Sequence, residues 1–132
     1  MKGIVLAAGR GTRLYPMTKP VCKPLLPVYD KPLIYYPIAT LLQAGIRDIL
    51  VIIPPGEERE FSNLLGDGSE LGIHIEFAVQ KVARGIADAL IIGEDFIGDD
   101  SVCLVLGDNI FHCHNLDEIM KEAIKDDHGA KV

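Results

Sequence analysis

The sequence has 132 residues, of which 48% are hydrophobic and 24% charged, and its formal net charge at pH 7 is −6. A chain of this length and composition fits a single domain with a buried core, and it excludes an intrinsically disordered protein. Because no dense cluster of Lys and Arg offsets the negative charge, we expect no main role in binding nucleic acid or an anionic membrane.

The three cysteines, Cys22, Cys103 and Cys113, show no CxxC spacing. An odd number of cysteines without that spacing argues against a disulfide framework and favours a reducing compartment, so we expect a cytoplasmic protein. The apolar run over residues 3–8 is too short for a signal peptide, and no run approaches the length that spans a bilayer.

The first three predicted elements are a strand, a helix and a strand. The apolar run over residues 3–7 precedes a glycine-rich turn, which is typical of a strand buried on both faces. Residues 33–44 predict a helix that ends at Gly45, and Pro37 would kink this helix if it lay beyond the first turn. Residues 49–53 predict a second buried strand, which the two following prolines stop.

Helices and strands continue to alternate over the rest of the chain. Residues 73–79 alternate apolar and polar side chains, as in a strand with one more polar face, and residues 130–132 resemble the opening of a further strand. The other predicted elements are a strand over residues 102–106 and helices over residues 57–65, 86–92 and 116–125.

This alternation predicts an α/β fold with a Rossmann-like, three-layer αβα arrangement, in which right-handed crossovers join a mainly parallel sheet. Sheets of this kind bind ligands at the carboxyl ends of their strands. We therefore expect the functional residues in the loops that follow Ala7, Ile53, Val79 and Leu106.

The loop after the first strand has the composition of a phosphate-binding turn. Residues 9–13 read Gly-Arg-Gly-Thr-Arg. Glycines let backbone N–H groups approach phosphate oxygens, and Arg10 and Arg13 add bidentate charge, so the turn predicts binding of a triphosphate. The structural alternative is a tight strand-to-helix turn with solvated arginines.

Two other phosphate-binding motifs fit this loop poorly. The GxxxxGK[ST] string of a P-loop does not occur in the sequence. A dinucleotide fingerprint would need a third glycine where Leu14 stands, and an acidic residue where Pro54 and Pro55 follow the second strand. A fragment of a dinucleotide-dependent oxidoreductase therefore stays only as a minor alternative.

Two further loops carry side chains that can bind metals. Asp108 follows the strand over residues 102–106, with Gly107 giving close access, so its carboxylate is placed to bind Mg²⁺ together with water and substrate phosphates. The alternative is a turn or a helix cap. The His-Cys-His run at residues 112–114 predicts no zinc site, because adjacent side chains point apart and no CxxC or HxxxH completes four ligands.

The glycine turn and the residues after it resemble the signature of the sugar-1-phosphate nucleotidyltransferase family. Within that family the sequence looks most like the thymidylyltransferases that use glucose 1-phosphate. The resemblance implies Mg²⁺-dependent transfer of a nucleotidyl group from dTTP to glucose 1-phosphate, by in-line attack on the α-phosphorus with release of pyrophosphate. The matching strings are GRGTRL at 9–14, KP at 19–20, CKPLLPV at 22–28, LPVYDKPLIYYP at 26–37, AGIRDI at 44–49, LGDG at 65–68 and LGDNIF at 106–111.

The resemblance assigns catalytic roles to two basic residues. Arg13 would stabilise charge on the α-phosphoryl group and Lys23 would contact phosphate, and such fixed cations beside a phosphate turn provide electrostatic stabilisation. For Lys23 the alternative is a solvated lysine, since Lys19 and Lys31 lie nearby. Asp108 is the implied ligand of Mg²⁺.

Base recognition is assigned by the resemblance to Gln80 and Gly85. A glutamine offers both a donor and an acceptor to a pyrimidine edge, and a glycine lets the backbone approach the ring. Arg84 and Asp88 depart from the family pattern in this segment. The implied nucleotide-binding residues are Leu6, Ala8, Gly9, Gly11, Thr12, Arg13, Gln80, Gly85 and Asp108.

The chains of this family continue well beyond the length of this sequence, and the additional part carries the sugar-binding loops and a second Mg²⁺-binding aspartate. We therefore expect residues 1–132 to be the nucleotide-binding half of the domain, without the sugar-binding half, and we expect a homo-oligomer. A nucleotide-binding or regulatory module without catalysis remains an alternative, as does an enzyme for another nucleoside triphosphate or sugar phosphate. Uncovered apolar helix faces and a sheet edge should make the isolated chain self-associate.

Overall fold

The computed structural model describes residues 1–9, 11–125 and 129–132. Its strands are β1 (Lys2–Leu6), β2 (Pro27–Val28), β3 (Lys31–Pro32), β4 (Asp48–Ile53), β5 (His74–Val79) and β6 (Val102–Leu106). Its α-helices are α1 (Tyr35–Gln43), α2 (Glu58–Leu65), α3 (Asp88–Ile92), α4 (Glu94–Ile97) and α5 (Leu116–Lys125). Short 3-10 helices cover Thr12–Leu14, Lys23–Leu25 and Ser69–Leu71.

Four of the strands form one parallel sheet in the order β5-β4-β1-β6. The first strand lies inside this sheet, where Ile4 is aligned with Leu50 on one side and with Leu104 on the other. This position explains why β1 is a continuous apolar run, since a strand in the middle of a sheet that is covered on both faces has no polar side.

Helices cover the sheet on both faces, so the molecule has three layers. Alternate residues of a strand point to opposite faces, and Val5 accordingly packs with α1, α2 and α5, whereas Ile4 packs with α3 and α4. The larger core includes Phe61 of α2, which is fully buried. The mainly parallel, three-layer αβα fold predicted from the sequence is thus confirmed.

The helix predicted over residues 33–44 is α1, which is slightly shorter than predicted. Pro37 is its third residue and therefore lies within the first turn, where a backbone N–H has no partner inside the helix, so the proline does not interrupt the hydrogen bonds. Gly45 follows the helix with a φ of 83°, in the left-handed conformation that a glycine adopts readily.

Three features differ from the sequence-based prediction. The two-residue strands β2 and β3 form an antiparallel hairpin that was not predicted, because their alternation is too short to recognise. The helix predicted over residues 86–92 begins at Asp88, and a separate short helix, α4, follows it. Residues 130–132 do not form the predicted strand, and the Lys131 ammonium group instead donates to the Ala123 carbonyl of α5.

Among the helices in the described residues, none has both the length and the apolar character needed to cross a membrane.

Candidate functional site

The carboxyl ends of three strands of the sheet border one cleft of about 220 Å³. The cleft lies where β1, β5 and β6 end, which is the edge at which parallel sheets bind ligands. The loop after Ile53, which the sequence also selects, does not line it. The lining residues are Leu6, Ala7, Ala8, Gly9, Lys23, Pro24, Gln80, Ala83, Gly85, Ile86, Leu106, Gly107 and Asp108.

The ends of β1 and β6 are held close together at the floor of the cleft. The Gly107 N–H donates to the Leu6 carbonyl at 2.8 Å, which extends the pairing of the two strands by one residue. A Cβ atom on Gly107 would lie 2.8 Å from Cβ of Ala7, closer than real Cβ contacts occur. A glycine at position 107 is therefore required to bring Asp108 to the β1 turn.

The glycine turn supports the segment that carries Lys23. Gly11 has a φ of 60°, and its carbonyl accepts a hydrogen bond from the Thr18 hydroxyl at 2.9 Å. A Cβ atom on Gly11 would lie 2.8 Å from Cβ of Lys23, so the turn and the lysine segment are in direct contact. The absence of a side chain at position 11 thus lets the two loops pack together.

Lys23 and Asp108 form an ion pair inside the cleft. Nζ of Lys23 lies 2.6 Å from Oδ2 of Asp108, and the two side chains are 30% and 39% exposed. Partly exposed ion pairs contribute only about 0 to 1 kcal/mol, so a ligand can separate the two charges at little cost. The cleft therefore offers one cation and one carboxylate side by side, which suits a ligand that combines phosphate groups with a metal ion.

The other described residues of the predicted phosphate turn lie beside the cleft instead of lining it. Thr12 and Arg13 belong to a 3-10 helix and are exposed. Gly11 packs beneath the turn, and Arg10 lies outside the described residues. The structure thus brings together seven of the predicted site residues around the cleft, and places Arg13 on the adjoining surface. The predicted residues that line the cleft are Leu6, Ala8, Gly9, Lys23, Gln80, Gly85 and Asp108.

Gln80 forms the wall of the cleft after β5, and it is one of only two buried polar residues in the described part of the chain. Its backbone N–H donates to the Ile53 carbonyl at 2.9 Å, and its side-chain Nε2 donates to Oδ2 of Asp88 at 2.9 Å. Gly85 has a φ of 96° and lies on the same wall. The sequence does not predict this hydrogen bond, although Asp88 departs from the family pattern in this segment.

Cys22 precedes Lys23, and its burial determines the protonation state of its thiol. Loss of hydration raises the pKa of its thiol to about 11, and the negative charge of Glu57 contributes in the same direction. At neutral pH the thiol therefore stays protonated and is a poor nucleophile.

The His-Cys-His run at residues 112–114 lies away from this cleft. These side chains are exposed and line a separate hollow that Gln43 and Asp117 also border. In the described part of the chain, no three His, Cys, Asp or Glu side chains are grouped so that they could hold a metal ion.

Comparison with known proteins identifies the family of this chain. The model of the nucleotidyl transferase family matches residues 2–132. A glucose-1-phosphate thymidylyltransferase from Neisseria meningitidis is 60% identical over 132 residues, which are all of this chain and 46% of that protein. One from Xanthomonas campestris is 56% identical over 131 residues, or 99% of this chain and 44% of that protein. The chain thus spans about half the length of the curated relatives it matches.

Solved structures agree with these sequence matches. A crystal structure from Bacillus anthracis, described as a glucose-1-phosphate thymidylyltransferase, superposes with a TM-score of 0.90 at 42% identity and covers 98% of this chain and 52% of that one. A UDP-glucose pyrophosphorylase in complex with UDP-glucose superposes with a TM-score of 0.74 at 26% identity, over 94% of this chain and 52% of that one. The similarity in sequence and in fold covers essentially the whole chain, which therefore belongs to the nucleotidyl transferase family.

Proposed function

We propose that this chain is the nucleotide-binding half of a glucose-1-phosphate thymidylyltransferase. The observation that carries the proposal is the pair of Lys23 and Asp108, 2.6 Å apart in a cleft at the carboxyl end of the sheet. It is supported by relatives of that name at up to 60% identity. The same proposal holds that residues 1–132 do not include the sugar-binding half, and that the protein forms a homo-oligomer.

The proposed reaction joins dTTP and glucose 1-phosphate. A phosphate oxygen of the sugar phosphate attacks the α-phosphorus of dTTP, and the bond from that phosphorus to the bridging oxygen of the β-phosphate breaks. The products are dTDP-glucose and pyrophosphate. No covalent bond to the protein is needed, so the protein contributes positioning and charge stabilisation.

Each residue of the proposed site has a simple electrostatic task. The ammonium group of Lys23 and the guanidinium group of Arg13 would bind phosphate oxygens, and the backbone around Gly9 would approach them closely because no side chain intervenes. A Cβ atom on Gly9 would meet no heavy atom within 4 Å, so the space beside it is open. Gln80 and Gly85 would contact the base on the opposite wall.

The donor set fits Mg²⁺. This ion usually binds one or two carboxylates and takes its remaining ligands from water and substrate phosphates. Among the described residues that line the cleft, Asp108 is the one carboxylate. When bound, Mg²⁺ would neutralise charge on the phosphates. Asp108 would hold it, and Lys23 would then be released to contact phosphate.

Nucleotide binding to the chain tests the proposal. We expect dTTP with Mg²⁺ to raise Tm, since a ligand at a hundred times its Kd stabilises a protein by about 2.7 kcal/mol. Lys23→Ala, Asp108→Ala and Arg13→Ala should each remove much of this gain, because a charge-assisted hydrogen bond contributes about 1.5 to 3 kcal/mol. Lys19→Ala is the matched control, because Lys19 is exposed, does not line the cleft and, unlike Arg13, is assigned no phosphate contact.

No change in Tm with any nucleoside triphosphate would overturn the proposal. A second assay separates the enzyme from a binding module without catalysis, which remains a candidate because the chain covers only 46% of the Neisseria relative. Release of pyrophosphate on addition of glucose 1-phosphate indicates the enzyme. Intact binding without release indicates either a module or dependence on the sugar-binding half.

A further inference from the structure

We infer that Asp88 is a positioning residue for base recognition. Asp88 holds the NH₂ end of the Gln80 amide and so directs its carbonyl oxygen into the cleft. The site then accepts a pyrimidine with an N–H donor at ring position 3, as in thymine or uracil. It discriminates against cytosine, which has no hydrogen at that position. This inference rests on the proposed function, since it requires that the cleft binds a nucleotide.

The contact between the two side chains fixes which way the amide points. Nε2 of Gln80 lies 2.9 Å from Oδ2 of Asp88. An ionised carboxylate can only accept hydrogen bonds, so the NH₂ end of the amide must face Asp88. If the amide were turned over, two oxygens would face each other in a largely buried position, which is strongly unfavourable. The hydrogen bond to Asp88 therefore determines the orientation of the Gln80 amide.

The other end of the amide is available to a ligand. In the described residues, no buried side-chain nitrogen or oxygen lacks a hydrogen-bond partner. Oε1 of Gln80 accepts no hydrogen bond there, so this oxygen must reach solvent although the residue as a whole is only 7% exposed. Gln80 lines the cleft, so we infer that its exposed oxygen faces this cleft. The wall thus presents a hydrogen-bond acceptor.

Asp88 itself is held in place by the fold. It is the first residue of α3, and the next residue, Ala89, is fully buried between Ile4, Leu50 and Ile52 of the sheet. This packing fixes the start of α3 relative to the end of β5, which carries Gln80. A carboxylate that is anchored in this way can orient a neighbouring amide without touching the ligand.

Oε1 of Gln80 would distinguish pyrimidines by whether their N3 atom carries a hydrogen. Thymine and uracil carry a hydrogen on N3 and can donate to Oε1 of Gln80, whereas N3 of cytosine has none and would face the oxygen with a lone pair. Cytosine could still donate through its 4-amino group, but the ring would then shift along the wall while its phosphates stay at Lys23. A site built around one hydrogen bond rejects an analogue that leaves its polar group unpaired.

Titration calorimetry with dTTP and dCTP in the presence of Mg²⁺ tests this inference. We expect the chain to prefer dTTP by roughly ten-fold or more, and Asp88→Asn to reduce this ratio by about ten-fold. The asparagine can either accept from or donate to the Gln80 amide, so both orientations become available. Asp88→Glu retains an acceptor-only partner and should keep most of the preference. Asp95→Asn, an exposed residue of α4, is the control for the lost charge.

The outcomes separate this inference from the proposed function. If the chain binds no nucleotide, the proposed function fails. If it prefers dTTP and Asp88→Asn keeps the same ratio, Asp88 does not position the amide and the inference alone fails. A measurement on the unaltered chain does not depend on how any variant folds: N3-methyl-dTTP, which lacks the donor, should bind at least ten-fold more weakly than dTTP. Equal binding would also overturn the inference.

Discussion

The buried thiol of Cys22 makes the stability of the protein depend on pH. Burial first, and the charge of Glu57 second, raise its pKa from an ordinary value of 9.0 to about 11. Below pH 9 the thiol is protonated in both the folded and the unfolded chain, so it does not reduce the free energy of unfolding. Between pH 9 and about 11 only the unfolded chain loses the proton. The free energy of unfolding should therefore fall over this range, by up to about 2 kcal/mol.

Urea unfolding at several pH values between 8 and 11 measures this effect. Lysines and tyrosines titrate in the same range, so the informative quantity is the difference between variants. Cys22→Ala should lose less stability with rising pH than the unaltered chain does, whereas Cys113→Ala, which removes an exposed thiol, should follow the unaltered chain. Parallel decline in all three proteins would show that the thiol of Cys22 ionises as easily in the folded state as in the unfolded one.

At the scale of single residues, sequence reasoning selected the cleft but not all of its contacts. Gln80 and Asp108 could be selected because the carboxyl ends of parallel strands converge, whatever the details of packing. Lys23 could be selected only from its match to the family signature. The hydrogen bond from Gln80 to Asp88 could not, because it depends on the direction in which α3 leaves the loop after β5. Likewise the exposed position of Arg13 depends on how the turn after β1 folds back.

At the scale of elements, the turn after β1 is the part on which both fold and site depend. Gly11 has a φ of 60°, which costs a residue with a Cβ atom about 1 to 2 kcal/mol, and an added Cβ would also press against Lys23 and Thr18. We expect Gly11→Ala to lower the free energy of unfolding by about 2 to 4 kcal/mol. It should also weaken binding of dTTP, because it displaces the segment of Lys23.

Gly68→Ala is a matched control for this prediction. Gly68 has a φ of 84°, and a Cβ atom there would lie 2.8 Å from the Ile75 side chain, so its replacement is similarly strained but does not involve the cleft. Urea unfolding should give comparable losses for the two variants, and calorimetry at a temperature where both are folded should show weaker dTTP binding for Gly11→Ala only. Equal affinities in both variants would mean that the turn does not position Lys23.

The elements that could be predicted from the sequence are those with a long apolar pattern. β1, β4 and β6 are apolar because they are covered on both faces, and α5 was predicted with its observed bounds. The hairpin of β2 and β3 was missed because two residues per strand give no periodicity. The break between α3 and α4 falls at Gly93, where a Cβ atom would lie 2.9 Å from the Ile4 side chain, so contact with the sheet sets it.

At the scale of the whole molecule, the sheet order leaves two strands at the outside. In the described part of the chain, β5 and β6 each pair on one side only. Several large apolar side chains of the segment that leads into α3, and of α3 itself, are also exposed, and Ile91 is 70% exposed. Exposed strand edges and apolar side chains both promote association between chains, while a net charge of −6 opposes it.

We therefore expect the isolated chain to associate with itself, and to do so more strongly as salt screens its negative charge. In sedimentation equilibrium, the average mass should rise with protein concentration. It should also be larger in 0.5 M salt, where the Debye length is roughly 4 Å, than in dilute buffer, where it is roughly 30 Å. Ile91→Glu should reduce this association, since it places a charge where an apolar side chain would be buried between chains. Ser62→Glu adds the same charge to an exposed position of α2 and should have little effect. A mass of 14.4 kDa at every concentration and salt would show that neither the strand edges nor α3 drives association.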